Sequence, residues 1–237
     1  MRRLRGWSAA VAVSATIVVV VLLAIGIGWA ATRRSAVTTY SVSAALKQVD
    51  LELASGQATI VGSSSPQLEV RRTDDYSFGH AARERRWFAG GVLHISSGCP
   101  RIVLGSCSAS YELAVPEAVT VQVQTQAGDV HVTGFNGNAA VGTGTGNVDV
   151  EAYCGFHLSA RSGSGNVHVS TACAPQTLSV RTRSGDALAL VPPGHYRVTA
   201  SSGVGRRTVT GIVDDPAAPF TLEVASAAGS VTVEGGL

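Results

Sequence analysis

VQVQTQAGDVHV (residues 121–132), AVGTGTGNVDV (140–150) and SARSGSGNVHV (159–169) repeat one pattern three times. Each copy has an alternating strand, a small residue, a glycine, an Asp or Asn, and a second alternating strand. The glycines of these copies lie 18 and 19 residues apart, and weaker copies extend the series in both directions. The seven glycines are Gly56, Gly128, Gly146, Gly165, Gly185, Gly203 and Gly229. A fixed period predicts units that stack on one another.

Aligning the copies on their glycines gives apolar columns on both sides of the corner. The residue five positions before the glycine is apolar in every copy: Leu51, Val123, Val141, Ala160, Val180, Val198 and Val224. Side chains two residues apart share one face of a strand, so each copy has one buried face and one exposed face. Glycine reaches positive φ without strain and Asp or Asn caps a turn, which suits a tight corner.

The pattern predicts an all-β fold and leaves two ways to combine the copies. The two arms of a copy can pair with each other in a row of hairpins, or each copy can be one coil of a β-solenoid with a period of about 18–20 residues. Identical columns over many copies favour the solenoid, because neighbouring coils then stack about 4.8 Å apart. We expect irregular coils with longer loops over 67–113, where the glycine corner is lost, and an inserted loop over 214–219.

Composition bounds the class of protein. Only 14% of the 237 residues are charged and 5% are aromatic, so the core is built from Val, Leu, Ala and Ile. Five of the 18 basic residues precede residue 35, which leaves 13 basic and 16 acidic residues, a net charge of −3, in the rest. This balance predicts no general affinity for nucleic acid.

Residues 8–32 carry no charge and include the apolar run 17–25. A segment of this length predicts a single-pass transmembrane helix, with a short cytoplasmic N-terminus (1–7), a tether (33–44) and an extracytoplasmic repeat domain (45–237). The expected location is therefore the cell membrane, with the C-terminal domain outside the cytoplasm. The alternative is a cleaved signal peptide, although its apolar region is normally shorter.

Four cysteines permit three pairings. Cys154 and Cys173 are 19 residues apart, one full period, so stacked coils would place their Cα atoms near 5 Å, within the range for a disulfide. Cys99 and Cys107 bracket a short loop and can pair with each other. We predict these two disulfides and hence an oxidising compartment; free buried thiols are the alternative.

The segments VDLELASGQATIVG (49–62) and YELAVPEAVTVQVQTQAGDVHVTG (111–134), with the GTGN (144–147) and SGSGN (162–166) corners, resemble the DUF4097 family of adhesin-like β-strand repeat proteins of bacteria. The resemblance covers about residues 45–235. It implies a β-solenoid-like domain associated with the cell envelope, with suggested links to adhesion and to envelope-stress signalling. It carries over no catalytic residue.

Three positions after their glycines, His131, Asp149 and His168 share one polar column. A His-Asp-His ladder is a weak candidate for a metal site. The two histidines would lie about 9.6 Å apart with neighbours at about 4.8 Å, whereas both nitrogens must approach one ion to about 2 Å. A solvated face with complementary charges is the favoured interpretation, and no metal or other cofactor is predicted.

The segment RRTDDYSFGHAARERRWF (71–88) interleaves arginines with aromatic residues. Guanidinium and aromatic groups together recognise anionic glycans, lipid headgroups or partner proteins. The alternative is that Trp87 and Phe88 begin a buried strand while nearby acidic residues neutralise the charge. The candidate partner-binding residues are Arg71, Arg72, Arg83, Arg85, Arg86 and Trp87.

The sequence contains no GxSxG elbow, no GK[ST] phosphate loop and no HExxH motif. We therefore expect a non-catalytic, adhesin-like binding module whose partner is the membrane and a cell-envelope glycan or protein. A regulator of envelope stress acting through a membrane partner is the first alternative. A polysaccharide-active hydrolase or lyase is the second, by analogy with other β-helices.

Overall fold

The computed structural model describes residues 4–43, 45–101 and 105–236. A helix, α1, spans Leu4–Thr32. The strands are β1 (Arg34–Val42), β2 (Gln48–Leu53), β3 (Ala58–Ser63), β4 (Leu68–Tyr76), β5 (Arg83–Ala89), β6 (Val92–Gly98), β7 (Cys107–Pro116), β8 (Thr120–Ala127), β9 (Val130–Thr133), β10 (Ala139–Thr145), β11 (Val148–Tyr153), β12 (His157–Ser164), β13 (Val167–Thr171), β14 (Thr177–Ser184), β15 (Ala187–Val191), β16 (His195–Ser202), β17 (Arg207–Thr210), β18 (Val213–Asp214), β19 (Thr221–Ala228) and β20 (Val231–Gly235).

The strands form two large sheets that share one core. Sheet A has the order β1-β4-β7-β3-β9-β11-β13-β15-β20-β17, and sheet B has the order β18-β16-β19-β14-β12-β10-β8-β2-β6-β5. Each repeat gives its first strand to sheet B and its second strand to sheet A. The inward faces of both sheets supply a single hydrophobic cluster.

Neighbouring coils pair in parallel and in register, which confirms the predicted solenoid against the row of hairpins. Val141 on β10 is the Cα partner of both Val123 on β8 and Ala160 on β12. Ala160 in turn pairs with Val180. The glycine-aligned columns of the sequence are therefore columns in space.

The order of coils in space differs from their order in the chain at both ends. The first coil, β2 and β3, lies between β6–β7 and β8–β9, and the last coil, β19 and β20, lies between β14–β15 and β16–β17. The segment expected to complete irregular coils also contains β4 and β5, which pair antiparallel with β7 and β6. At one end of the stack the outermost strands are β1 and β5, and at the other end they are β17 and β18.

The corner of the sixth copy is Gly205, and its assignment to Gly203 is wrong. Gly205 has φ +147°, a positive value like those of the other corner glycines. Arg207 pairs with Val231. Val198 consequently pairs with Leu222 instead of Val224. A shift of two residues leaves every side chain on the same face, so alternation alone does not distinguish the two glycines.

The corner glycines are required by backbone geometry and by space. Gly165 has φ +144°, and a Cβ built on it would lie 2.0 Å from the carbonyl oxygen of Gly146 in the neighbouring coil. Only glycine combines this φ with such close backbone approach.

Two hydrogen-bond ladders hold the corners together, and neither was predicted from the sequence. Buried hydroxyls three residues before the corner donate to the neighbouring glycine carbonyl, as Thr143, Ser162 and Thr182 do at 2.8 Å to Gly128, Gly146 and Gly165. On the outside, the Asp or Asn that follows Gly128, Gly146, Gly165 and Gly185 accepts from a backbone N–H of the neighbouring coil; Asp129 accepts from Asn147 at 2.7 Å. The ladders satisfy polar groups that would otherwise remain unpaired at each bend.

Both predicted disulfides are present. Cys99 pairs with Cys107, and Cys154 pairs with Cys173, whose Cα atoms are 4.8 Å apart. The second bridge links adjacent coils one period apart, as the stacking argument requires.

The N-terminal region differs from expectation. In the part of the chain whose side chains are described, no helix is both long enough and apolar enough to cross a membrane, so the transmembrane span over 8–32 is not supported. The predicted cytoplasmic piece, 1–7, lies partly outside the described residues. Within the predicted tether, β1 pairs antiparallel with β4 and extends sheet A.

Candidate binding surface

Strand β5 is the edge strand at one end of sheet B and carries most of the candidate binding residues. Antiparallel pairing with β6 places Arg83 opposite Gly98, Arg85 opposite Ser96 and Trp87 opposite His94. Because alternate residues share a face, Arg83, Arg85 and Trp87 lie together on the outer face. All three are exposed, Trp87 by 50%.

A shallow cleft of about 290 Å³ lies beside the two arginines. Its remaining walls come from β6 and the start of the Cys99–Cys107 loop: Ser96, Gly98, Cys99 and Pro100. The neighbouring Trp87 ring stacks on the His94 ring, with centroids 4.8 Å apart and an interplanar angle of 11°. The Nδ1 atom of His94 lies 3.1 Å from the Asp50 carboxylate, which fixes the histidine beneath the indole.

Arg72 is not a surface residue, contrary to its selection as a candidate. Its side chain is 12% exposed and its guanidinium pairs with Asp74 at 2.6 Å and with Glu84 at 3.0 Å. It also donates to the carbonyl of Ala82 at 2.7 Å. Arg72 therefore belongs to an ion-pair network between the two sheets at this end of the stack.

Two tyrosines complete this network. The hydroxyl of Tyr111 donates to Glu84 at 2.8 Å, and that of Tyr40 lies 3.4 Å from the other Glu84 oxygen. Burial raises the pKa of Tyr111, and burial followed by the charge of Glu84 raises the pKa of Tyr40. Both phenols therefore remain neutral donors to the carboxylate at ordinary pH.

Arg71 and Arg86 also lie away from the outer face of β5. Arg71 lies 3.9 Å from Glu112 at the surface of sheet A. The Arg86 guanidinium lies 4.0 Å from the Tyr40 ring centroid, on the opposite face of β5 from Trp87. Because side chains alternate between the two faces of a strand, the sequence of 83–88 alone could have placed Arg86 on the opposite face from Arg83 and Arg85. The alternative that Trp87 and Phe88 enter a buried strand is wrong, since each is 50% exposed.

The polar column on sheet A is assembled as predicted. Asp149 is the register partner of both His131 and His168, and its carboxylate lies 3.8 and 3.6 Å from their Nδ1 atoms. Both half-exposed histidines thus turn toward the half-exposed carboxylate between them. Within the described ranges, no group of three His, Cys, Asp or Glu side chains is placed to hold a metal ion.

A model of the family described as Toastrack DUF4097 matches residues 42–210. A candidate cell adhesion protein of Clostridium sporogenes has a similar structure, with a TM-score of 0.52 and 14% identity over 86% of this chain and 100% of its own. A candidate adhesin of Bacteroides fragilis is similar at a TM-score of 0.46 and 12% identity, over 84% and 97% of the two chains. No curated protein gives a significant match.

Proposed function

Because the chain belongs to the Toastrack DUF4097 family, we propose that it is a non-catalytic binding module that holds a cell-envelope component on the outer face of β5. The adhesion-related name of the Clostridium sporogenes neighbour supports this class of function. The observation that carries the proposal is the exposed row of Arg83, Arg85 and Trp87 on the outermost strand of a rigid stack.

The row suits a glycan or protein surface that presents acidic groups beside a flat apolar patch. Guanidinium groups bind carboxylates or phosphates through paired hydrogen bonds, and an indole offers a large face at low conformational cost. Alternate residues of a strand are about 6.8 Å apart, so the row extends about 13 Å. That length accommodates two or three sugar units or a short stretch of polypeptide.

The disulfides support a location outside the cytoplasm. Disulfides form and persist in oxidising compartments and are rare among cytosolic proteins. Labelling of free thiols in intact cells, before and after reduction, tests the location: Cys154 and Cys173 should react only after reduction.

A catalytic role has less support. Glycoside hydrolysis ordinarily uses a pair of carboxylates, whereas the polar column of sheet A offers Asp149 between two histidines that pair with it. The described part of the chain contains no observation that favours a stress regulator over a binding module.

The experiment is a binding assay with cell-envelope fractions of the organism that makes the protein. The variant Arg83→Ser/Arg85→Ser/Trp87→Ala should lose most of the binding and keep its unfolding midpoint, because all three side chains are exposed. The matched control is Arg71→Ser/Arg206→Ser/Phe156→Ala, which removes the same charge and an exposed aromatic ring elsewhere. Equal binding by both variants would contradict the proposal.

A further inference from the structure

A second basic surface lies on the outer face of sheet B, five strands away from β5. Arg161 on β12 and Arg181 on β14 are Cα partners on adjacent parallel strands, and Arg183 follows Arg181 by two residues on the same face. A shallow cleft of about 310 Å³ between them is lined by Gln124, Gly142, Thr143, Gly144, Arg161, Ser162, Gly163 and Arg183. None of these arginines was among the binding residues predicted from the sequence.

The charges of this surface are mostly uncompensated. Arg181 pairs with Glu223 at 2.5 Å. Arg161 instead donates a 3.3 Å hydrogen bond to the neutral Ser159 hydroxyl. Among the described residues, Arg183 has no ion-pair or hydrogen-bond partner. Two cationic side chains thus line the cleft without a carboxylate beside them.

The register of this surface places two arginines side by side on neighbouring strands. Like charges directly opposite each other on neighbouring strands destabilise a sheet. The chain avoids that cost on sheet A, where Asp149 stands between His131 and His168 in one column. On sheet B, Arg161 lies directly beside Arg181, whose charge Glu223 offsets. The cleft therefore holds the charges of Arg161 and Arg183, which an anion between them would neutralise.

The shape of the cleft selects the kind of anion. Small-molecule sites are concave and enclose most of their ligand, whereas this cleft is open along the sheet. Its floor is bare backbone at Gly144, and at Gly142 it is covered by the side-chain amide of Gln124. Such a surface fits an extended chain lying across the strands.

We infer that the cleft between Arg161 and Arg183 binds an extended acidic polymer of sugars or polyols, with the two guanidinium groups on successive carboxylate or phosphate groups of the polymer. Nucleic acid is a poor alternative, because the chain beyond residue 34 has a net charge of −3 and its disulfides favour an oxidising compartment. This site shares no residue with the face of β5.

The test uses the full chain with polygalacturonate, polyglycerol phosphate and neutral dextran as probes. We expect binding to one or both acidic polymers and none to dextran. Binding to polygalacturonate alone identifies carboxylates as the bound groups, and binding to polyglycerol phosphate alone identifies phosphates. Binding to neither polymer overturns the inference.

Variants then locate the site. Arg161→Gln and Arg183→Gln should each weaken binding about tenfold, as expected for the loss of a charged hydrogen bond. The control Arg71→Gln/Arg206→Gln should bind within about twofold of the native chain, because isolated exposed charges contribute little. An equal loss in the control would show non-specific charge attraction and overturn the inference. Loss only in Arg83→Ser/Arg85→Ser/Trp87→Ala would also overturn it, and would assign the polymer to the face of β5.

Arg161→Glu separates a binding role from a structural one. This change reverses the charge at an exposed position of the cleft, so it should abolish binding with little change in the unfolding midpoint. A variant that binds the polymer as well as the native chain would contradict the inference.

Discussion

The hydroxyl of Thr143 donates a 2.8 Å hydrogen bond to the carbonyl oxygen of Gly128, one coil away. Thr143 is 4% exposed, so water does not replace the donor when it is removed. We predict that Thr143→Val lowers the free energy of unfolding by about 1–2 kcal/mol, the cost of an unpaired buried polar group. Denaturant unfolding measures the loss. Thr145→Val, in the exposed part of the same strand, is the control and should change stability by less than about 0.5 kcal/mol.

Gly165 tests whether the corners need glycine. An alanine there would have φ near +144° and a Cβ overlapping the Gly146 carbonyl, so Gly165→Ala should cost about 3 kcal/mol or more. Gly98→Ala is the comparison, because its Cβ would meet no atom within 4 Å and its φ is not positive. Circular dichroism during denaturation distinguishes them. Similar unfolding midpoints for both variants would contradict the corner geometry.

Arg207 lies at the open end of the stack. It occupies the column that carries Val148, Val167 and Val231 in inner coils, but lies on β17 at the edge of sheet A. An inward-directed charge on an edge strand opposes pairing with another molecule. Arg207→Val should therefore promote end-to-end association that increases with concentration, as measured by light scattering after gel filtration. Arg206→Val, at the adjacent corner position, should not; association in both variants would point to lost charge alone.

The buried tyrosines predict a loss of stability in alkali. Burial raises the pKa of Tyr111, Tyr153 and Tyr196 above the ordinary value of about 10. The unfolded chain then binds fewer protons than the folded chain above about pH 10, so stability is full below that pH and falls as pH rises toward the folded pKa values. Denaturant midpoints at about pH 9 and about pH 11 measure the loss.

Tyr153→Phe identifies the source of that loss. The Tyr153 hydroxyl lies 2.7 and 2.9 Å from the carbonyl oxygens of His157 and Gly137 and shares its single proton between them, so the variant should be less stable near neutrality. With one fewer buried phenol it should also lose less stability between the two pH values. An unchanged alkaline loss would exclude Tyr153 as a contributor.

The repeated columns of the sequence predicted the solenoid, the register of Asp149 with its two histidines and the Cys154–Cys173 bridge. All three follow from one property: residues one period apart become neighbours when coils stack. The order of coils does not follow from it, because every coil offers its neighbours the same register. The segment 64–119, between β3 and β8, is long enough for the chain to place β6 and β7 on one side of β2 and β3, and β8 and β9 on the other.

The candidate surface was only partly predictable for a related reason. Composition identified 71–88 as rich in arginine and aromatic residues, but only strand pairing shows which side chains share a face. Arg72 became internal because Asp74 and Glu84 meet it between the sheets. The arginines of the sheet B cleft are 20 or more residues apart in sequence, apart from Arg181 and Arg183, and become neighbours only through stacking.

Photo-crosslinking tests the central claim, that the outer face of β5 contacts a cell-envelope component. A chain with Trp87→p-benzoylphenylalanine is illuminated in the presence of cell-envelope fractions, and Phe156→p-benzoylphenylalanine, at an exposed aromatic position elsewhere, is the control. We predict adducts with an envelope component from position 87 and none from position 156. Equal adducts from both positions, or none from position 87, would contradict it.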